Sequence, residues 1–236
     1  MEPIQPHAIF SLLSAGYPVD LVLPATVRAL NGVYGRTIHG GMRRASDPEF
    51  SSLLEALRRM QDSRALSITV RQDGDERVVK LLWNTRNKPE VEADVRYIAK
   101  LLNLEAVNGE VRLVYGAVQA QRDELAVLSR SMIEILSGIA GDIQVPEEDV
   151  RNGRTLATAD ESTADPNDRS RVKIYSTTSL IPPPDTFVSV RYNGNWYWIS
   201  DRDVASKRAF TFLSLFFSLA ETGVVPAAPQ LTIPVQ

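Results

Sequence analysis

The pair Asn193-Gly194 constrains this chain more than any other two residues. It sits between two runs of β-formers, Phe187 to Tyr192 and Asn195 to Ser200. A two-residue type I′ turn needs positive φ at both central positions, and Asn-Gly meets that need best. The loop length also sets the register, placing Tyr192 opposite Asn195, Arg191 opposite Trp196, Val190 opposite Tyr197 and Ser189 opposite Trp198. Alternation then separates two faces. Val188, Val190, Tyr192, Tyr197 and Ile199 form one, expected to be core. Phe187, Ser189, Arg191, Trp196 and Trp198 form the other. It is expected either to pack under the next helix or to present an aromatic contact surface, with the Arg191 guanidinium over an indole.

The hairpin runs directly into an apolar helix. Ser200 or Asp201 is the expected N-cap, Asp203 lies in the first turn, and Gly223 is a natural terminator. Ala209 to Ala220 reads AFTFLSLFFSLA, apolar around nearly its whole circumference. Such a helix is buried on several sides or lies in an interface. Its twelve residues rise only about 18 Å, too little for a bilayer core of about 30 Å. Phe212 and Phe216, with Arg191, Trp196 and Trp198, are the candidate partner-binding residues.

The 236 residues carry a net charge of −3, so no global field draws the chain to nucleic acid or to anionic lipid. Cysteine is absent, which excludes disulfides, thiolate nucleophiles and thiolate metal sites. With only two histidines, His7 and His39, most imidazole-based chemistry is also excluded. No cofactor or metal is expected. The chain is not expected to be an integral membrane protein. Its start lacks a basic segment and is interrupted by prolines, a poor match to a signal peptide. A cytoplasmic location is therefore expected, with an exported or anchored form as the alternative if a leader has been removed.

Along the chain, Pro6 to Ala15 and Pro18 to Leu30 are expected helices, the second kinked or restarted at Pro24 and closed by Asn31-Gly32. Tyr34 to Ala45 is a glycine-rich basic loop. His39-Gly40-Gly41 superficially matches the oxyanion loop of some hydrolases, but the nucleophile elbow G-x-S-x-G is absent. Arg36, Arg43 and Arg44 are candidates for binding an anion there. With Arg58 and Arg59, and with tryptophans able to stack on bases, they are also the local support for contact with nucleic acid.

Asp47-Pro48-Glu49 starts a helix, and Ala65 to Arg71 and Arg77 to Trp83 form a second hairpin. Lys88-Pro89-Glu90 starts another helix, and Asn108-Gly109 turns into a strand over Glu110 to Tyr115. Ala120 to about Ala140 is expected to be the longest helix, from apolar residues at three- and four-residue steps. Arg154 to Arg171 reads as a flexible loop with almost no apolar content. Its carboxylates Asp160, Glu161, Asp165 and Asp168 fail the EF-hand spacing. A short strand over Val172 to Ser176, a triple proline at 182–184 and a β-forming tail, QLTIPV, complete the chain.

The fold class expected is α+β, with helices on small, largely antiparallel sheets and a C-terminal hairpin followed by an apolar helix. The expected units are an N-terminal helical segment (1–46), an α+β body (47–150), a flexible loop (151–171) and a C-terminal hairpin–helix unit with its tail (172–236).

The block from Tyr192 to Leu213, with N-W-Y-W-I-S-D-R-D-V-A-S-K-R-A-F-T-F-L, resembles a group of uncharacterised bacterial proteins. The similarity extends to PVDLVL, to VYGA and to the closing LTIP. It implies a bacterial origin and a free-standing unit, and it carries no activity, cofactor or catalytic residue. The residues themselves favour a non-enzymatic interaction protein that associates with itself, or with another protein, through the C-terminal hairpin, helix and tail. The alternatives are a hydrolase-like enzyme using carboxylates or the His39 loop, and a nucleic-acid-associated protein using the 36–59 arginines.

Overall fold

A computed structural model describes residues 2–39, 42–73, 76–84, 88–105, 110–158 and 169–222. The chain is α+β. Helices α1 (Pro6–Ser14) and α2 (Val19–Thr26) lead into strand β1 (Val27–Leu30) and its hairpin partner β2 (Val33–Tyr34). A short ribbon of β3 (Thr37–His39) and β4 (Met42–Arg44) precedes α3 (Pro48–Asp62). The hairpin β5 (Leu66–Asp73) and β6 (Glu76–Trp83), helix α4 (Pro89–Leu101) and strands β7 (Glu110–Tyr115) and β8 (Glu124–Ser129) follow. Helices α5 (Met132–Gly141) and α6 (Glu147–Arg151) lead to strands β9 (Tyr175–Thr177), β10 (Thr186–Tyr192) and β11 (Asn195–Ser200), and α7 (Val204–Thr222) comes last.

Six strands form one mixed sheet in the order β2-β1-β8-β7-β6-β5. Every neighbouring pair in it is antiparallel except β7 with β8, which run parallel. A second, antiparallel sheet has the order β10-β11-β9.

Two expectations from the sequence are corrected here. The second helix stops at Thr26 and not at Leu30, because Val27, Ala29 and Leu30 are buried as strand β1 beside β8. Asn31-Gly32 is therefore a hairpin turn, with φ of 42° and 82° at the two residues, and not a helix terminator. The Asn31 side chain pins that turn to the sheet, donating to the carbonyls of Leu102 and Glu124 and accepting from the Ala126 amide.

The expected long helix over 120–140 does not form. Glu124 to Ser129 is a central strand, and α5 begins at Met132. A strand covered on both faces is apolar at consecutive positions, so Leu125, Ala126, Val127 and Leu128 satisfy a helical template as well as a buried strand. Ser131 is the boundary signal. It accepts from the Glu134 amide while the Glu134 carboxylate accepts from the Ser131 amide, a complete capping box.

One apolar cluster joins Ile9, Val22 and Leu23 of α1 and α2, Leu53 and Met60 of α3, Leu81 and Val127 of the large sheet, and Ile199, Phe212 and Phe216 of the C-terminal elements. The Tyr17 and Phe212 rings meet at 5.7 Å.

Candidate functional site

The C-terminal hairpin forms in the expected register, down to Ser189 opposite Trp198. Asn193 and Gly194 have φ of 48° and 84°, the positive pair that the turn requires. Arg191 lies over the Trp196 ring at 6.0 Å from its centroid. Strand β9 adds Tyr175 beside Trp198, ring centroids 5.6 Å apart. Both tryptophans are half-buried in consequence.

Exposure is distributed differently from expectation. Val188, Val190 and Tyr192, expected as core, are 37%, 60% and 71% exposed. Ile199, on the same face of the adjacent strand, is buried. The reason is geometric. Only three residues separate β11 from α7, so the helix starts at the end of the hairpin remote from its turn. Phe187 meets Phe210 edge-on at 6.3 Å and the Lys207 ammonium at 5.5 Å. From there each residue toward the turn adds about 3.3 Å, and the outer strand escapes the helix. Tyr197 is covered further along, and burial, helped by nearby Asp149 and Tyr192, pushes its phenol above the usual range.

Phe212 and Phe216, the other expected contact residues, are buried within this chain and stack on each other at 5.9 Å. Over its described side chains, helix α7 turns Ser206, Ala209, Phe212, Leu213 and Phe216 inward, while Thr211, Ser214 and Ser218 take outward positions together with the apolar Val204 and Leu215. Its cap also differs from expectation. Asp203, one residue before the helix, accepts from the Ser206 amide at 3.0 Å, while Ser206 Oγ donates to its other oxygen at 2.7 Å.

Arg36 and Arg44 do not converge. Arg36 Nη1 pairs with Asp142, whose buried carboxylate also receives Arg171 at 3.1 Å. Arg44 lies 3.7 Å from Asp47 and over the Tyr34 ring at 5.1 Å. Arg58 and Arg59 face Asp20 and Asp94. An arginine already paired with a carboxylate offers little field to a polyanion, so this geometry weakens the nucleic-acid reading. The side chains of His39 and Arg43, Gly40 and Gly41, the four carboxylates from Asp160 to Asp168, and the tail after Thr222 lie outside the described residues. Among the described residues, no group of three or more His, Asp or Glu is placed to hold a metal ion, and no helix is long and apolar enough to cross a membrane.

Sequence reasoning missed that, among the described residues, β10 is an outer strand with exposed apolar side chains. The alternation that marks Val188, Val190 and Tyr192 was legible. What hid their exposure was the reach of α7, which depends on where the helix docks. Comparison with known protein families, with curated proteins and with solved structures finds no match for this chain.

Proposed function

We propose that this is a non-enzymatic interaction protein that self-associates by pairing the β10 edge of one copy with the β10 edge of another. The observation that carries this reading is that β10 is the outer strand of its sheet while Val188, Val190 and Tyr192 stand exposed along one face of it. Natural proteins blunt such edges with charge, proline or a covering element. Arg191 is the only charged residue of β10.

The strand is self-complementary. Tyr192 and Asn195 flank a two-residue turn and are its hydrogen-bonded pair, so the main-chain groups of Ser189 and Arg191 point to the open edge. An antiparallel copy centred on Val190 sets Val188 of each chain opposite Tyr192 of the other, and Ser189 opposite Arg191. That register joins the apolar side chains in one strip and keeps the two Arg191 charges off each other, since like charges directly opposed are destabilising.

Light scattering on eluted protein tests this. The wild type is expected at twice its 26.2 kDa mass at both low and high salt. Val190→Lys is expected to elute as a monomer that still unfolds in one cooperative thermal transition, because Val190 is 60% exposed. A wild-type monomer at concentrations of about 100 μM, well above the μM dissociation constants of transient dimers, rejects the reading.

A further inference from the structure

Far from the hairpin edge, the turn between α1 and α2, the outer side of α3 and the start of α7 enclose an open cleft of about 510 Å3. That volume lies within the range of small-molecule sites. Four guanidiniums line it, Arg58, Arg64, Arg169 and Arg208, against two carboxylates, Asp20 and Asp62. Arg58 and Arg169 both reach the same Asp20 oxygen at 3.3 Å, and Arg58 also lies 3.8 Å from Asp62. Arg64 and Arg208 are exposed and pair with no carboxylate among the described residues. Among the described residues the cleft therefore carries an excess of two positive charges.

Two further observations describe its walls. Arg64 follows Ser63, the C-cap of α3, and adopts φ of 54°. That left-handed position after a helix is where glycine is favoured and an L side chain is strained. The wall is also held rigid. Gln61 donates to the carbonyls of Leu13 and Tyr17 and accepts from the Val19 amide, locking the α1–α2 turn onto α3.

We propose that this cleft binds a small molecule carrying a phosphomonoester, with Arg64 and Arg208 as the phosphate-recognising residues. A phosphomonoester carries close to two negative charges near neutrality, which matches the excess. The planar fork of arginine suits its oxygens, and Arg64 and Arg208 are the two guanidiniums not held on Asp20. The proposal does not depend on self-association.

Phenyl phosphate, titrated calorimetrically into the full chain at low ionic strength, is the probe, with phenol as the uncharged control. Saturable binding of phenyl phosphate alone is expected. Arg64→Gly removes the guanidinium and relieves the positive φ together, so it is expected to raise the thermal midpoint while weakening binding at least about tenfold. Arg208→Ala is expected to weaken binding to a similar degree with the midpoint unchanged. Absence of binding to the wild type overturns the proposal, as does binding undiminished in both variants. A single-stranded oligonucleotide that binds through Arg64 and Arg208 when phenyl phosphate does not bind also overturns it, in favour of a nucleic-acid backbone.

Discussion

At the scale of single residues, Glu124 shows how one buried charge holds an unusual connection. Strands β7 and β8 are parallel yet joined by only the eight residues 116–123, shorter than most parallel crossovers. The Glu124 carboxylate closes that connection by accepting from the amides of Ala120 and Gln121 at 3.0 Å and from Arg112 Nη2. Burial by itself raises its pKa, but the two amides and the guanidinium outweigh it and hold the carboxyl below its ordinary value. The unfolded chain therefore takes up the proton first as pH falls. The stabilisation from this group is fully present above the unfolded pKa of about 4.3 and is lost as pH drops through the lower folded value. Glu124→Gln is expected to cost about 2–3 kcal/mol at pH 7. In urea titrations its deficit against the wild type is expected to shrink below about pH 4. A deficit that does not change with pH excludes this account.

At the scale of elements, side chains that satisfy orphan backbone groups set the starts of α5 and α7. The capping box of Ser131 and Glu134 starts α5, and Arg28 adds an ion pair to Glu134 at 3.1 Å. Ser131→Ala is expected to cost about 1 kcal/mol, read as a shift of the urea midpoint without a change of slope. Asp47 behaves otherwise. It occupies the N-cap position of α3, but its carboxylate accepts from the Tyr34 amide at 2.7 Å and not from the helix. Asp47 thereby ties α3 to the end of β2, and the Asp47 amide returns a bond to the Tyr34 carbonyl. The helix start was legible from Asp-Pro-Glu. The partner of the aspartate was not, because Tyr34 lies thirteen residues away and reaches it through the fold.

At the scale of the whole molecule, the C-terminal elements share their apolar interior with the first helices. Phe212 packs on Tyr17 and Phe216 and is 4% exposed. Phe212→Ala is expected to destabilise the chain by about 3–5 kcal/mol. It is also expected to lower one cooperative transition seen alike by tryptophan fluorescence, which reports the hairpin once Trp83 of β6 is replaced by Phe, and by far-ultraviolet circular dichroism. Separate transitions for the two probes contradict a shared core. The same docking of α7 leaves the outer strand of the hairpin bare and brings Arg208 to the cleft that Arg58 lines from α3 and Arg64 from just beyond its end.

The amino-acid sequence by itself determined what depends on neighbours in the chain. The hairpin at Asn193-Gly194 and its register, the starts of α3 and α4, strand β7 and the α+β class all follow from turn chemistry, caps and short-range periodicity. Tertiary structure decided what depends on distant partners. Whether Leu125 to Leu128 is helix or strand turns on burial from both sides, because an all-apolar run carries no period. Whether Phe216 or Val190 faces outward turns on where α7 lies, since alternation separates two faces and does not say which of them another element will cover. Nor does the sequence show that Arg36 meets Asp142 across 106 positions, because an ion pair is written in space and leaves no local pattern.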